Sequence, residues 1–138
     1  MEPDFPFELV VHGTPVSFQR SSSRSKTAWK ELVREATRPH LPDGHWTTDR
    51  LLSATLYYFP PDRMVGDLDN VLKLTLDALS RHINADDSQL ERILIQKFED
   101  DRPFVFEGPS AILAGCLVGP RPAMYVRLAD DHELEPVR

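Results

Sequence analysis

Gly66-Asp67-Leu68-Asp69-Asn70-Val71-Leu72-Lys73, followed by Asp77 and by the pair Asp86-Asp87, is the part of this chain that carries both a structural and a chemical signal. From Leu68 to Ile83, the residues Leu68, Leu72, Thr75, Leu76, Leu79 and Ile83 recur at helical spacing, and Asp69, Asn70, Lys73, Asp77 and Arg81 share the opposite side. The pattern predicts an amphipathic helix with its acids turned away from the core. On either side lies a strand pattern, Leu51 to Phe59 closed by Pro60-Pro61, and Leu90 to Phe98 leaving the Asp86-Asp87 turn.

Working outward, Phe7 to His12 predicts a first strand, and Gly13 to Ser25, with Gly, Pro, several serines, Arg20 and Arg24, predicts a flexible basic loop. Thr27 to Thr37 has Trp29, Leu32, Val33 and Ala36 on one helical face, ended by Pro39, Pro42 and Gly44. A short helix begins near Pro109 and stops at Gly119-Pro120, and Tyr125 to Leu128 predicts a last strand. Residues from Asp130 onward are expected to fray. No repeat divides the 138 residues, so one domain spanning 1–138 is expected.

Composition narrows the chemistry. The single cysteine, Cys116, excludes an intramolecular disulfide and a cysteine-based zinc site, and its apolar neighbours suit an inert buried thiol. No apolar run reaches the roughly 20 residues of a membrane span, and the acidic start Met-Glu-Pro-Asp is unlike a signal peptide, so a soluble cytoplasmic protein is expected. The net charge is −6, yet Arg20, Arg24, Lys26, Lys30, Arg34 and Arg38 oppose only Glu31 and Glu35. That segment is locally +4 and leaves −10 on the remainder. Such a stripe is either a solvated helix face or a footprint for nucleic-acid phosphates.

The acidic cluster has an ordinary explanation and a chemical one. Asp67 stands where a helix N-cap would stand and Asp69 lies in the first turn, where the helix dipole favours acids without any metal. Lys73 can pair with Asp69 and Asp77 for about 0.3 to 0.5 kcal/mol. Adding Asp86-Asp87 strains that explanation, because carboxylates packed together raise one another's pKa. A divalent cation relieves the repulsion, Mg²⁺ prefers carboxylate oxygens, and a lysine suits a phosphate oxygen. Other metal patterns fail: an EF-hand begun at Asp67 needs Gly and Glu where Leu72 and Ala78 stand, and the five histidines lack zinc-site spacing. Neither a P-loop nor a Gly-x-Ser-x-Gly elbow occurs.

Taken together, Gly66 to Lys73, Asp77-Ala78-Leu79 and Asp86-Asp87-Ser88-Gln89 resemble the RusA family of Holliday junction resolvases. The similarity is clear over about residues 50 to 99 and extends loosely to Gly13-Thr14-Pro15 and Arg20. It implies an α+β fold, a single small domain with a mixed sheet of about four strands and two main helices. It implies a homodimer that uses Mg²⁺ or Mn²⁺ to nick four-way DNA symmetrically. On the resemblance, Asp67, Asp69 and Asp87 are the metal-binding catalytic aspartates, Lys73 is the catalytic lysine, and Asp86 is the alternative ligand to Asp87. Asn70 and Asp77 fall at motif positions given supporting roles, and Arg20, Arg24, Lys26 and Lys30 are the candidate DNA contacts. The acidic pI of about 5.3 departs from the basic character of such enzymes, which leaves room for another branched or phage-related substrate, or for a protein partner that supplies positive surface. A defence or toxin nuclease of the same fold and a non-catalytic binding module are the competing functional classes.

Overall fold

Four strand segments, near-continuously apolar in the two central ones, build one mixed sheet, with order β1-β4-β2-β3, from β1 (Phe7–His12), β2 (Leu52–Phe59), β3 (Leu90–Lys97) and β4 (Ala123–Ala129). The computed structural model describes residues 1–15, 22–64 and 68–130, without the side chain of Asn70. Strand β4 runs antiparallel to both β1 and β2, whereas β2 and β3 are parallel. A parallel pair needs a crossover, and the predicted acidic helix supplies it as α2 (Leu68–Leu79). Helices α1 (Ser23–Thr37) and α3 (Ala111–Val118) complete the α+β architecture.

The two faces of the sheet are covered separately. Phe7, Leu9 and Val11 of β1, Ala54, Leu56 and Tyr58 of β2, and Met124, Val126 and Leu128 of β4 pack beneath α1 and α2. Tyr57, Phe59, Ala123 and Tyr125 face the other way, under Leu113 and Cys116 of α3 and the Phe98, Phe104 and Phe106 cluster. Strand β2 is therefore buried on both faces, as its near-continuous apolar run requires. Burial pushes the Cys116 thiol up to about 11, which leaves it protonated and unreactive.

Several boundaries move for local reasons. The helix expected from Thr27 starts at Ser23, because Ser22 caps it by accepting the Ser25 amide at 3.2 Å. Arg24 and Lys26 consequently stand on a helix and not in a flexible loop, whereas Arg20 lies outside the described residues. The buried stripe of α1 is Trp29, Val33 and Thr37, so Leu32 is left 46% exposed. Helix α2 ends at Leu79, short of the expected Ile83. Arg81 adopts a left-handed conformation with φ 63°, and the Ile83 amide bonds the Leu79 carbonyl at 2.8 Å. Ile83 still enters the core, but from a turn. Helix α3 begins one residue beyond its Ser110 cap and not at Pro109. Asp130, expected to fray, is held by Arg50 at 2.8 Å, and residues 131–138 lie outside the described residues.

Candidate active site

Helix α2 is amphipathic because Val71, Leu74, Thr75, Ala78 and Leu79 are buried against the sheet and α1. Asp69 and Lys73 are exposed and Asp77 is half-buried, so one acidic line runs along the outer face. At a rise of about 1.5 Å per residue, Asp69 stands about 12 Å along the axis from Asp77. The acids are thus strung out along the helix. Among the described residues, no three His, Cys, Asp or Glu side chains converge closely enough to hold a metal ion. Asp67 lies outside the described residues, as does the Asn70 side chain.

The turn after α2 brings Asp87 to this line. Partial desolvation, followed by the negative charges of Asp77 and Asp86, raises the Asp87 carboxyl above its ordinary value. A Ser80 hydroxyl bond and the Lys73 charge act in the opposite direction. Asp87 is therefore in electrostatic contact with the Lys73–Asp77 end of the acidic line. Asp86 has a different environment. Its carboxylate accepts the Ser88 hydroxyl and, at 3.3 Å, the Ser88 amide, and these bonds hold its pKa below the usual value.

Asp86 is the N-cap of a single 3₁₀ turn, Asp87–Gln89, that leads into β3. Gln89 completes the capping box by accepting the Asp86 amide at 2.8 Å. The same side chain donates to the carbonyls of Thr48 at 2.9 Å and Arg50 at 2.8 Å. Asn84 donates to the Asp86 carbonyl at 3.0 Å, and the Thr48 amide bonds the Ile83 carbonyl at 2.9 Å. The Asp86-Asp87 turn is thereby laced to residues 48–50. Sequence spacing marked Gln89 but gave no sign of these partners, since they lie 41 and 39 residues away.

A second anchor lies where the chain leaves β2. Glu99 is 5% exposed, accepts the Met64 amide at 3.1 Å and pairs with Lys97 at 3.2 Å. Those bonds, with the Lys97 contribution the largest, keep its carboxyl below the usual range. Arg121 donates to the carbonyls of Pro60 and Phe98 at 3.0 and 2.6 Å, so both sides of the junction between β2 and β3 are tied. Neither Glu99 nor Arg121 was legible as a partner of this segment, because each depends on long-range packing.

Helices α1 and α2 lie side by side and run in the same direction. Trp29 donates to the Thr75 hydroxyl at 3.1 Å, Arg34 to the Ala78 carbonyl at 3.1 Å, and the Thr37 hydroxyl meets His82 at 2.8 Å. The partners are separated by 46, 44 and 45 residues, a nearly constant offset. Continued toward the N-terminal ends, that offset sets Arg24 level with Asp69. Arg24 is exposed, while Lys26 and Lys30 are half-buried.

Oxygen donors and a lysine along the outer face of a crossover helix form a donor set of the kind phosphodiester hydrolases use with a hard cation. The class is fixed by comparison: a family model described as Endodeoxyribonuclease RusA matches residues 12–106, which contain all of α1, β2, α2 and β3. The chain belongs to this family of endodeoxyribonucleases, enzymes of the Holliday junction resolvase type. No curated protein matches the chain closely enough to add to that assignment. Among the described residues, no helix is long and apolar enough to cross a membrane.

Proposed function

We propose that this chain is a divalent-metal-dependent endonuclease that nicks four-way DNA junctions as a homodimer. The carrying observation is the placement of Asp87 against the Lys73–Asp77 end of the acidic helix face, within the segment matched by the family. The donor set fits Mg²⁺ or Mn²⁺, since the candidate ligands are all carboxylate oxygens and the crowded Asp87 charge is one that a cation would relieve. In this proposal Asp67, Asp69 and Asp87 hold the ion; Asp67 and Asp69 are chosen on the family motif, since Asp69 is set apart along α2 from the Asp77 end that Asp87 adjoins. When bound, it polarises a phosphate oxygen and makes water a better nucleophile.

The chain's own residues supply the rest. Lys73 offsets charge on the phosphate as the attacking oxygen approaches in line. Ser80 lies close enough to Asp87 for its hydroxyl to favour the ionised carboxylate. Asp77 stands beside Asp87 and keeps negative potential at that end. Asp86 is assigned a capping role, because Ser88 already occupies its carboxylate. A twofold dimer would present equivalent sites to the two opposed strands of a junction.

Purified protein should cleave a synthetic four-way junction in Mg²⁺ or Mn²⁺, lose that activity in chelator, and act weakly on linear duplex. Equal inertness of wild type and Asp69→Asn on junctions, flaps and duplex would refute the nuclease proposal. Cleavage of flaps in preference to junctions would retain the chemistry and change the substrate.

Arg24, Lys26 and Lys30 are assigned to backbone phosphates at the end of α1 that lies level with Asp69. Their joint replacement by alanine should reduce the slope of log affinity against log salt by about two to three, because each phosphate contact contributes close to one. Binding titrations over a range of salt concentrations test this, and an unchanged slope would place the DNA on another surface.

A further inference from the structure

The motif residue left without a chemical role is Gln89, and its surroundings define one. It is 8% exposed, and its side chain makes three bonds that point in different directions. Both amide protons are directed to main-chain carbonyls of the segment before β2, while its oxygen takes the Asp86 amide. A buried amide with this much of its capacity satisfied specifies one geometry, because any rotation or loss leaves carbonyls or an amide without a partner.

We propose that Gln89 is a positioning residue for Asp87, locking the turn so that the carboxylate faces Lys73 and Asp77. The proposal rests on the nuclease reading given above. Three observations converge on it. The Asp86 amide that Gln89 grips lies one residue before Asp87, at the entry to the turn that carries it. The 3₁₀ turn is only three residues long and so has little regular structure to hold it. The acceptors at Thr48 and Arg50 belong to a segment joined to the sheet through Leu52, which gives the turn a fixed reference.

Partners of this kind orient a ligand without touching the ion, and their loss costs about 10- to 100-fold in metal affinity or activity. Gln89→Met keeps the length of the side chain and removes all three bonds. It should raise the Mg²⁺ concentration for half-maximal junction cleavage by about tenfold or more, with junction affinity in chelator unchanged. Trp29→Phe, which removes the remote bond to Thr75, serves as a stability control and should leave the Mg²⁺ midpoint in place. Should Gln89→Met not fold, Gln89→Glu is measured instead, since it keeps the shape and sets an acceptor against the Thr48 and Arg50 carbonyls.

An unchanged Mg²⁺ midpoint in a folded Gln89 variant, with active wild type, overturns the positioning role and leaves the nuclease proposal standing. A midpoint that shifts equally in Trp29→Phe also overturns it, because the effect then follows general stability. Wild type that cleaves nothing in either metal overturns both.

Discussion

Asp87→Asn is expected to lower metal-dependent junction cleavage by about 10³-fold or more, since it removes a full charge from the ion's ligand set, and to make the metal-free protein slightly more stable at neutral pH. The second effect follows from the raised folded-state pKa of Asp87. A carboxyl that is harder to ionise in the folded chain than in the unfolded one opposes folding once it is charged. That cost is complete above the folded pKa and disappears as pH falls below the unfolded value of about 3.9. The gain from Asp87→Asn should therefore be present at pH 7 and absent near pH 3. Asp87 is exposed, so screening keeps the gain below about 1 kcal/mol. Urea unfolding at the two pH values, in chelator, measures it. Mg²⁺ should reverse the order by stabilising only the wild type. If Asp87→Asn cleaves normally, Asp87 is not a ligand and the site must be built elsewhere.

Lys73→Ala is expected to lower the cleavage rate by about 10²-fold, the usual scale for one preorganised charge at a reacting centre, while weakening junction binding by no more than a single phosphate contact. Lys73 is exposed on the line between Asp69 and Asp77 and acts on Asp87 from there. A surface ion pair in the same place would contribute only a few tenths of a kcal/mol to stability and nothing to rate. Single-turnover kinetics at saturating enzyme separates the two. Lys73→Arg should recover part of the rate, because the charge is kept while its geometry changes. A rate equal to wild type in Lys73→Ala would reduce this lysine to a surface pairing role.

The crossover unit was readable from periodicity. The Leu68 repeat and the flanking apolar runs located β2, α2 and β3 to within a few residues, since each has a strong period and clear stops. What escaped was decided by single residues with unusual backbone or capping roles. Ser22 converted part of a serine-rich loop into the first turn of α1, and Arg81 stopped α2 four residues early. The acids and Lys73 could be named from spacing, and the side of α2 on which Asp69 and Lys73 lie followed from the wheel. The difference between Asp86 and Asp87 could not, because it depends on which carboxylate Ser88 captures and which approaches Asp77 and Lys73. Glu99, Gln89 and Arg121 took their meaning from main-chain partners far along the chain, and periodicity does not encode those.

The position of β4 at the centre of the sheet governs how the chain can be made. Among the described residues it is the last strand in sequence, yet there β1 has no other neighbour in the sheet and β2 is paired on that side by β4 alone. A nascent chain emerging N-terminus first can form the β2-α2-β3 unit as soon as residue 97 is free. Until Ala123–Ala129 follows, β1 is without a strand partner and one edge of β2, with its apolar faces, is open to other chains. Folding is thus completed by the insertion of a late-synthesised central strand between two waiting ones, which makes the interval before that event the period in which this protein most needs protection from aggregation.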